Sequence, residues 1–454
     1  MHRCASGLGR HPRPRRSRHG PGDGLGRRGR ATGCRSREDP QAAVGSGIIA
    51  IRRNGHSTVS AAAATHLSLP PLVDPVESLS RAELERYSRH LSLPGFGFEG
   101  QRRLRAASVL VIGAGGLGSP VINYLAAAGV GSITIIDDDV VESSNLQRQV
   151  IHRDADVGRS KVASAAEAVH RLDPNIVVRT IEGRLTPENA LDLFAGHDLV
   201  LDGADNFATR YLSNDAAELI GTPLVWGTIF RFAGQVSTFV PGHGPMLRDL
   251  FPDIPEPDSV PNCAEGGVLG VLCGTVGSAM ATEAIKLICG VGSPFIGRLL
   301  RYEALTGEYS TLRFSPDPDR PAVTDLTEAA AACAAVPAIG TAPGPTVDEI
   351  DIAEFRARED DVVVVDVRED WERELASIPG SMHLPLGDIR DSGWEALESV
   401  LGGAGRSRSP VDIVIHCRSG ARSAEAIEIL SGSVPAGVRL RSLAGGIDAW
   451  AGQD

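Results

Sequence analysis

The sequence predicts an α/β protein with two domains: a larger one on a mixed, mainly parallel sheet, and a smaller one after a linker. Two observations predict this class. Short apolar runs that end in glycine or acidic residues alternate with helix-like segments, which is typical of parallel strands joined by crossover helices. The chain also has 454 residues, enough for roughly two to four domains.

The first domain is predicted over residues 69–313. Ser80 followed by Glu83 forms a capping box, which marks the start of a helix. The elements predicted next are a strand at 107–112, a helix at 120–128, strands at 132–136, 199–202 and 223–226, and an alternating segment at 232–240. The alternation predicts an antiparallel strand, so a mixed sheet is expected.

The linker is predicted over residues 314–345, where Pro, Asp, Ala and Gly are mixed, with one short helix at 327–335. The second domain is predicted over residues 346–454. Its elements are strands at 361–367 and 413–416 and a helix at 422–430.

The N-terminal residues 1–68 are predicted to be a disordered Arg- and Gly-rich extension, because they show neither a helical nor a strand period. Residues 1–60 hold 13 arginines against three acidic residues. A transit peptide and an overlong gene start are the alternative interpretations of this segment.

The bulk composition excludes several classes of function. The net charge of −12 is carried by the body of the chain, which argues against nucleic-acid binding. No run of about 18 apolar residues exists, so no membrane span is expected. The seven cysteines are odd in number and widely spaced, which indicates reduced thiols and a cytoplasmic protein rather than a disulfide framework.

A glycine-rich motif at residues 113–118, the glycine loop, follows a predicted strand and precedes a predicted helix. This context predicts a Rossmann-like nucleotide-binding domain, because glycines let the backbone approach phosphate at a helix start. Asp137 ends the next strand, where an acid binds a ribose hydroxyl. On this motif alone, an NAD-linked oxidoreductase is the leading interpretation.

Cationic and acidic residues around the glycine loop change that interpretation. Arg89 lies upstream, Arg148 and Lys161 follow Asp137, and Asp205 follows the strand at 199–202. Three cations and an acid around one nucleotide suit a triphosphate with magnesium, and hydride transfer does not require them.

These motifs, in this order, resemble the ubiquitin-activating-like family and within it the MoeB/ThiF adenylyltransferases, over residues 79–312. The resemblance implies ATP and Mg²⁺ as cofactors, a homodimer, and Arg89, Arg148 and Asp205 as catalytic residues, with Asp205 holding magnesium. Arg89 or Arg148 is implied to act from the neighbouring subunit. The implied ATP-binding residues are Gly116, Asp137, Ser144, Asn145, Leu146, Gln147, Arg148, Lys161, Asp205 and Asn206.

Two further features follow from the resemblance. Many relatives hold a structural zinc in two Cys-x-x-Cys pairs, but the matching segments here, 245–249 and 313–317, contain no cysteine, so no zinc site is predicted. Cys263 matches the family cysteine proposed to bond the activated carrier, although a buried small residue before a helix is the alternative. Cys273 and Cys289 lie in apolar runs and are predicted to be core residues.

A second site is predicted at Cys417, which stands between the strand at 413–416 and a helix. The backbone N–H groups of such a loop, with Arg418 and Arg422, would stabilise a thiolate and its persulfide. A phosphatase would need arginine six positions after the cysteine, but position 423 is serine. The shorter loop therefore favours sulfur over phosphate chemistry.

The motifs around this loop resemble the rhodanese family over residues 347–452. The matching segments are 365–369, 378–385 and 445–450, and one departure is Ala376-Ser377 where the family commonly has Gly-His. Asp366 and Arg368 are predicted to be structural rather than catalytic.

Together the two resemblances, in a fusion order similar to MoeZ-type proteins, predict a sulfur-transfer enzyme. The implied partners are a ubiquitin-like sulfur carrier (MoaD-, ThiS- or CysO-like), whose terminal glycine is adenylated, and a persulfide or thiosulfate donor that loads Cys417. The alternatives are an NAD-linked oxidoreductase with an accessory rhodanese domain and a non-catalytic carrier-binding scaffold.

Overall fold

The computed structural model describes residues 69–255, 267–335, 347–403 and 411–452. Within them, two separate sheets form, of eight and five strands. This confirms the predicted α/β class, with the larger sheet in the first domain and the smaller sheet in the second.

The first sheet is mixed. Its strands are β1 (Ser108–Ile112), β2 (Ser132–Asp137), β3 (Val177–Glu182), β4 (Leu199–Asp202), β5 (Leu224–Phe230), β6 (Ala233–Phe239), β7 (Arg298–Glu303) and β8 (Glu308–Arg313). Their order is β3-β2-β1-β4-β5-β6-β7-β8, parallel from β3 to β5 and antiparallel from β5 to β8. The antiparallel strand expected at 232–240 is therefore confirmed as β6.

The strand order explains where a site can form. β1 lies between β2 and β4, so the direction of the strand order reverses there and the carboxyl ends of three strands meet at one edge. The glycine loop, Asp137 and Asp205 follow β1, β2 and β4 in turn.

Helices pack against the central strands of this sheet. They are α1 (Arg81–Arg86), α2 (Ser88–Leu91), α3 (Gly97–Ala106), α4 (Gly118–Ala128), α5 (Lys161–Leu172), α6 (Pro187–Ala195), α7 (Phe207–Ile220), α8 (Leu247–Leu250) and α9 (Gly270–Cys289). The capping box predicted at Ser80 is present and starts α1. The apolar faces of β1, β2, α4 and α9 form the main core.

Among the described residues, α9 is the one helix that is long and apolar enough to cross a membrane. Its apolar side chains are used within the protein: Leu272, Val276, Met280 and Ala284, one helical turn apart, are buried. The helix packs against α4, β5 and β6. Burial in the core accounts for its hydropathy.

Residues 317–335, in the predicted linker, contact the first domain. The helix predicted at 327–335 is present as α10 (Thr327–Ala335) and packs against α7. Asp317 donates its backbone N–H to Asp249 at 3.0 Å. This part of the predicted linker is therefore docked rather than free.

The second sheet is parallel throughout, in the order β11-β10-β12-β13-β9. Its strands are β9 (Glu349–Ile350), β10 (Val363–Asp366), β11 (Met382–His383), β12 (Val411–His416) and β13 (Val438–Leu443). Its helices are α11 (Ile352–Arg358), α12 (Asp370–Leu375), α13 (Leu386–Ser392), α14 (Trp394–Gly403), α15 (Ala421–Ser431) and α16 (Gly446–Ala451). The central strand β12 delivers Cys417 to the carboxyl edge of the sheet.

Candidate active sites

The glycine loop makes a tight turn that only glycine permits at two positions. Gly113 has φ +89°, a left-handed conformation, and a Cβ at Gly118 would lie 1.9 Å from the carbonyl oxygen of Gly113. The loop also lies close to the end of β4, because a Cβ built at Gly113 would be 3.3 Å from the carbonyl oxygen of Gly203. These contacts bring the ends of β1 and β4 together.

Asp137, the predicted ribose acid, is bound to the glycine loop itself. Its Oδ2 accepts the backbone N–H of Ala114 at 2.7 Å, and its Oδ1 accepts that of Asp139 at 2.9 Å. Burial raises the pKa of Asp137. The carboxylate is thus fixed at the edge of the loop.

Two more acids follow Asp137, and each is paired with a cation. The carboxylate oxygens of Asp137, Asp138 and Asp139 lie within 4.8 Å of one another. Asp138 accepts from Arg184 at 2.5 Å, and Asp139 accepts from Lys161 at 2.7 Å. Lys161 is buried, so this predicted phosphate-binding ammonium is held beside Asp137 by Asp139.

Asp205, the predicted magnesium ligand, is exposed after β4. A hydrogen bond to Asp138, with the nearby charges of Asp139 and Asp205, raises the pKa of Arg184. Asp205 therefore lies on the same side of the sheet edge as the three consecutive acids.

Four residues of the predicted segment 144–148 form contacts away from the glycine loop. The buried Asn145 accepts the backbone N–H of Glu142 at 3.2 Å, so its amide caps a short 3₁₀ turn. The exposed Ser144 donates to Glu142 at 3.0 Å. Leu146 is half-buried, and the exposed Gln147 contacts the first residue of α9. The structure gives these four residues a local structural role.

Arg148 is the member of this segment that reaches the loop. Its Cδ lies 3.9 Å from a Cβ built at Gly116, and its Nη1 donates to the carbonyl of Ser144 at 3.0 Å. Cys273 lies below the same position, with Sγ 2.8 Å from that Cβ. The predicted core residues Cys273 and Cys289 are both buried, and Cys273 supports the floor of the loop.

Among the described residues, two predicted site residues form no hydrogen bond or ion pair with the glycine loop. Asn206 caps α7, accepting the N–H of Thr209 at 2.9 Å. Arg89 is exposed on α2, and in the described ranges no hydrogen bond or ion pair joins its side chain to residues 113–118. Cys263 lies outside the described residues.

His152 was not among the predicted site residues, yet it holds the glycine loop. The ring is buried, with Nε2 at 3.0 Å from the carbonyl oxygen of Ala114 and Nδ1 at 2.9 Å from Ser164 Oγ. Ser164 in turn donates to Asp156 at 3.0 Å. Burial lowers the pKa of His152. No motif marks this histidine, because its partners are fixed only by folding.

Asp202 is a second residue that the sequence analysis missed. Its carboxyl is fully buried at the end of β4, and Oδ1 accepts the backbone N–H of Ala204 at 2.9 Å. Burial raises the pKa of Asp202 to about 6. This residue shapes the turn that presents Asp205.

The sulfur loop, residues 417–422, buries Cys417 beside polar groups at the end of β12. Its Sγ accepts the backbone N–H of Gly420 at 3.1 Å and lies 3.7 Å from Ser423 Oγ. Gly420 has φ +114°, which turns this N–H towards the sulfur. Cys417 is 1% exposed, so only a donor that enters the loop reaches it.

Both arginines of the sulfur loop are paired with carboxylates. Arg422 forms a bidentate pair with Glu372, with both N···O distances 2.7 Å. Arg418 pairs with Asp448 at 3.1 Å. The sequence analysis expected Arg418 and Arg422 to add positive charge around Cys417. In the structure, long-range folding supplies a carboxylate to each of them.

A buried ionic pair lies behind the sulfur loop. Arg368 contacts Asp366 through two hydrogen bonds of 2.9 and 2.7 Å, and it also donates to the carbonyls of Glu372 and Ala376. These contacts support the predicted structural role of Asp366 and Arg368. The adjoining His416 is fully buried, and burial lowers its pKa to about 4.

The segments that match the family's zinc pairs lie together, since the backbone N–H of Asp317 donates to Asp249, and ion pairs surround them. Asp249 accepts from Arg320 at 2.9 Å, and Arg320 also contacts Glu218 at 2.8 Å. Arg248 forms a bidentate pair with Asp215, with both distances 2.8 Å. The absence of zinc stays a prediction, and these pairs are the contacts that the structure provides there.

Comparison with known proteins assigns each half of the chain. Residues 87–322 match the ThiF family and residues 351–453 match the rhodanese-like domain.

Three relatives illustrate the match. The chain is 48% identical over 395 residues to the probable adenylyltransferase/sulfurtransferase MoeZ of Mycobacterium tuberculosis, covering 85% of this chain and 97% of the relative. It is 39% identical over 398 residues to the bovine (Bos taurus) adenylyltransferase and sulfurtransferase MOCS3, covering 83% and 87%. It is 52% identical over 244 residues to the SAMP-activating enzyme E1 of Haloferax volcanii, covering 54% and 90%. The chain therefore belongs to the ThiF family and, with its rhodanese-like domain, to the adenylyltransferase/sulfurtransferases that activate sulfur-carrier proteins.

Proposed function

We propose that this chain adenylates the C-terminal glycine of a ubiquitin-like sulfur carrier with ATP and then converts it into a thiocarboxylate with sulfur from Cys417. The observation that carries the proposal is the meeting of Lys161, Arg148 and Asp137 at the glycine loop, where β1 and β2 end. A glycine-lined edge that carries two cations and carboxylates for a metal ion suits a triphosphate.

The proposed ATP site uses these residues in two groups. Gly116, Asp137, Asn145 and Asn206 would lie at the adenosine and ribose, with Ser144, Leu146 and Gln147 framing the pocket. Arg89, Arg148 and Lys161 would bind the phosphates and stabilise charge on the leaving pyrophosphate. Because the exposed Arg89 forms no hydrogen bond or ion pair with its own residues 113–118 in the described ranges, we propose a homodimer in which it serves the neighbouring subunit.

Magnesium fits the donor set at this edge. Asp138 and Asp139 are paired with Arg184 and Lys161, which leaves the exposed Asp205 as the carboxylate best placed to bind a cation. Mg²⁺ would neutralise phosphate charge there. Lys161, held by Asp139, would orient the phosphate chain of ATP.

Adenylation proceeds by attack of the carrier's terminal carboxylate oxygen on the α-phosphorus of ATP. One P–O bond forms, the bond to pyrophosphate breaks, and the acyl-adenylate is the product. Arg148 beside Gly116 is positioned to stabilise the negative charge that moves onto the leaving group.

Sulfur transfer begins when the Cys417 thiolate takes a sulfane sulfur from a persulfide or from thiosulfate. The terminal persulfide sulfur then attacks the acyl-adenylate carbonyl and AMP leaves, which gives an acyl disulfide. A second thiol, for which we propose Cys263, attacks the Cys417 sulfur of that disulfide. It releases the thiocarboxylate and forms a disulfide that a cellular reductant must reduce. This chemistry requires reduced thiols and suits the cytoplasm.

A pyrophosphate exchange experiment tests the first half. Labelled pyrophosphate should enter ATP only when a MoaD-, ThiS- or CysO-like carrier is present, and an NAD-linked oxidoreductase would show no exchange. The relative named for SAMP activation guides the choice of carrier.

Mass spectrometry of each carrier tests the second half. A thiocarboxylate should form with wild-type protein and not with Cys417→Ala, although adenylation continues in that variant. A scaffold without catalytic activity would give neither product.

A further inference from the structure

Arg422 of the sulfur loop is held in an ion pair that originates on a different helix. Its two terminal nitrogens each lie 2.7 Å from an oxygen of Glu372, which belongs to α12 and is 50 residues away in sequence. The side chains are 26% and 10% exposed. Arg422 also lies within electrostatic range of the Cys417 thiol. Glu372 therefore removes a positive charge from the surroundings of the reactive sulfur.

Glu372 is fixed in this position by further contacts. Its Oε2 accepts the backbone N–H of Glu369 at 3.0 Å, and Arg368 donates to its carbonyl at 3.3 Å. Burial would raise the pKa of Glu372, but the hydrogen bonds from Arg422 and from the Glu369 backbone lower it overall. The carboxylate therefore stays ionised beside Arg422.

The other loop arginine is held differently. Arg418 and Asp448 are 66% and 57% exposed and 3.1 Å apart. Exposed pairs of this kind are weak and readily exchange with solvent. Arg422 is therefore held more firmly by its carboxylate than Arg418 is.

We propose that Glu372 is a specificity-determining residue: by neutralising Arg422, it makes the sulfur loop favour donors of low negative charge over dianionic thiosulfate. The proposal rests on the proposed role of Cys417 as sulfur acceptor. An unpaired Arg422 would attract a dianionic donor more strongly than a monoanionic one. Neutralising Arg422 therefore weakens the attraction of the dianion more than that of the monoanion.

Two small donors isolate this effect, because they undergo the same reaction and differ by one charge. The Cys417 thiolate attacks the outer sulfur of thiosulfate and releases sulfite, or attacks that of methanethiosulfonate and releases methanesulfinate. Each gives the same Cys417 persulfide. Cyanide then takes the outer sulfur as thiocyanate and restores the thiolate. No oxidant or reductant is needed.

The experiment compares kcat/KM for the two donors in the full-length protein. Glu372→Gln should raise the ratio of thiosulfate to methanethiosulfonate by about fivefold, since it leaves one unit charge uncompensated in a partly exposed loop. Glu372→Asp keeps the charge and should keep the wild-type ratio even if turnover falls. An unchanged ratio in Glu372→Gln, or an equal gain with both donors, would overturn the proposal.

Glu425→Gln is the matched control. Glu425 on α15 forms a similar bidentate pair with Arg390, at 2.7 and 2.9 Å, but it is not a sulfur-loop contact. Glu425→Gln should leave the ratio of kcat/KM for thiosulfate to that for methanethiosulfonate unchanged. A ratio change equal to that of Glu372→Gln would show that the effect is not specific to the loop.

The wild-type protein supplies a measurement that does not depend on a variant folding. If the pair neutralises the loop, added salt should lower kcat/KM for thiosulfate no more steeply than for methanethiosulfonate. A much steeper loss with thiosulfate would overturn the proposal. If wild-type protein took sulfur from neither donor, the role of Cys417 itself would fail, while carrier-dependent pyrophosphate exchange would still test adenylation.

Discussion

His152 hydrogen-bonds through Nε2 to the backbone carbonyl of Ala114, 3.0 Å away in the middle of the glycine loop. Through Nδ1 the same ring contacts Ser164 on α5, and Ser164 continues the chain to Asp156. The loop that is proposed to receive ATP is thus tied to α5, the helix that begins with Lys161.

His152→Asn should loosen the loop, because the shorter amide cannot span Ala114 and Ser164. The KM for ATP in carrier-dependent pyrophosphate exchange should rise about tenfold, the equivalent of one lost hydrogen bond to a buried group, and kcat should fall less. His197→Asn is the control, since His197 also bridges a carbonyl and a hydroxyl, those of Leu193 and Thr134. Equal effects in both variants would contradict a specific role of His152.

Lys161→Met should lower pyrophosphate exchange by about 100-fold or more, because the ammonium held by Asp139 is proposed to stabilise phosphate charge. Transfer of sulfur from thiosulfate to cyanide should not change, since that reaction uses the other domain. Lys286→Met removes a lysine that pairs with Glu283 within α9 and should keep exchange activity. Pyrophosphate exchange at the wild-type rate in Lys161→Met would show that Lys161 is not part of the ATP site.

Cys417→Ala should abolish sulfur transfer to cyanide and leave pyrophosphate exchange intact. Cys289→Ala is the matched control: burial raises the pKa of Cys289 to about 12, so this thiol is protonated and unreactive. The sulfur transfer of Cys289→Ala should equal that of wild type. Sulfur transfer by Cys417→Ala at the wild-type rate would disprove the role assigned to Cys417.

The second domain should lose stability in acid because of His416. Burial lowers the pKa of His416 from 6.5 to about 4, so the unfolded chain binds a proton before the folded domain does. The stability linked to this group is complete above pH 6.5 and is lost as the pH falls through 4, by up to about 3 kcal/mol. Hydrogen exchange of the β12 amides, corrected for intrinsic rates, measures this loss.

The His416→Asn variant should show a flatter pH dependence of that exchange. His383→Asn, which replaces a half-buried histidine of the same domain, should keep the wild-type slope. The same slope in both variants would show that another group causes the acid loss.

Arg320→Ala should release the docked part of the predicted linker. Its guanidinium joins Asp249 and Glu218, and Asp249 is 2% exposed, so the substitution leaves a buried carboxylate without its cation. The first domain should lose about 1–3 kcal/mol and residues 317–335 should become susceptible to proteolysis. Arg390→Ala, which removes an exposed pair in the second domain, should show neither effect.

Elemental analysis tests the predicted absence of zinc at the same place. Purified protein should contain no stoichiometric zinc, and a chelator should leave its thermal unfolding unchanged. Stoichiometric zinc that resists dialysis would overturn this prediction.

The sequence by itself determined the features that depend on neighbouring residues. The apolar runs, the glycine loop and the capping box at Ser80 each arise within a few positions of the chain, because backbone conformation and burial period are local properties. Seven of the described strands followed from the same patterns, including the antiparallel β6, whereas β3, β7, β8, β9, β11 and β13 were not predicted. The order of the motifs was sufficient to indicate both domains.

Only the tertiary structure decided which charges and hydrogen bonds meet. Glu372 reaches Arg422 from 50 residues away and His152 reaches Ala114 from 38 residues away. Such pairs depend on the order of parallel strands, which brings the ends of distant segments to one edge of a sheet. A cation near the cysteine is visible in the sequence, but the acid that neutralises it is chosen by the fold.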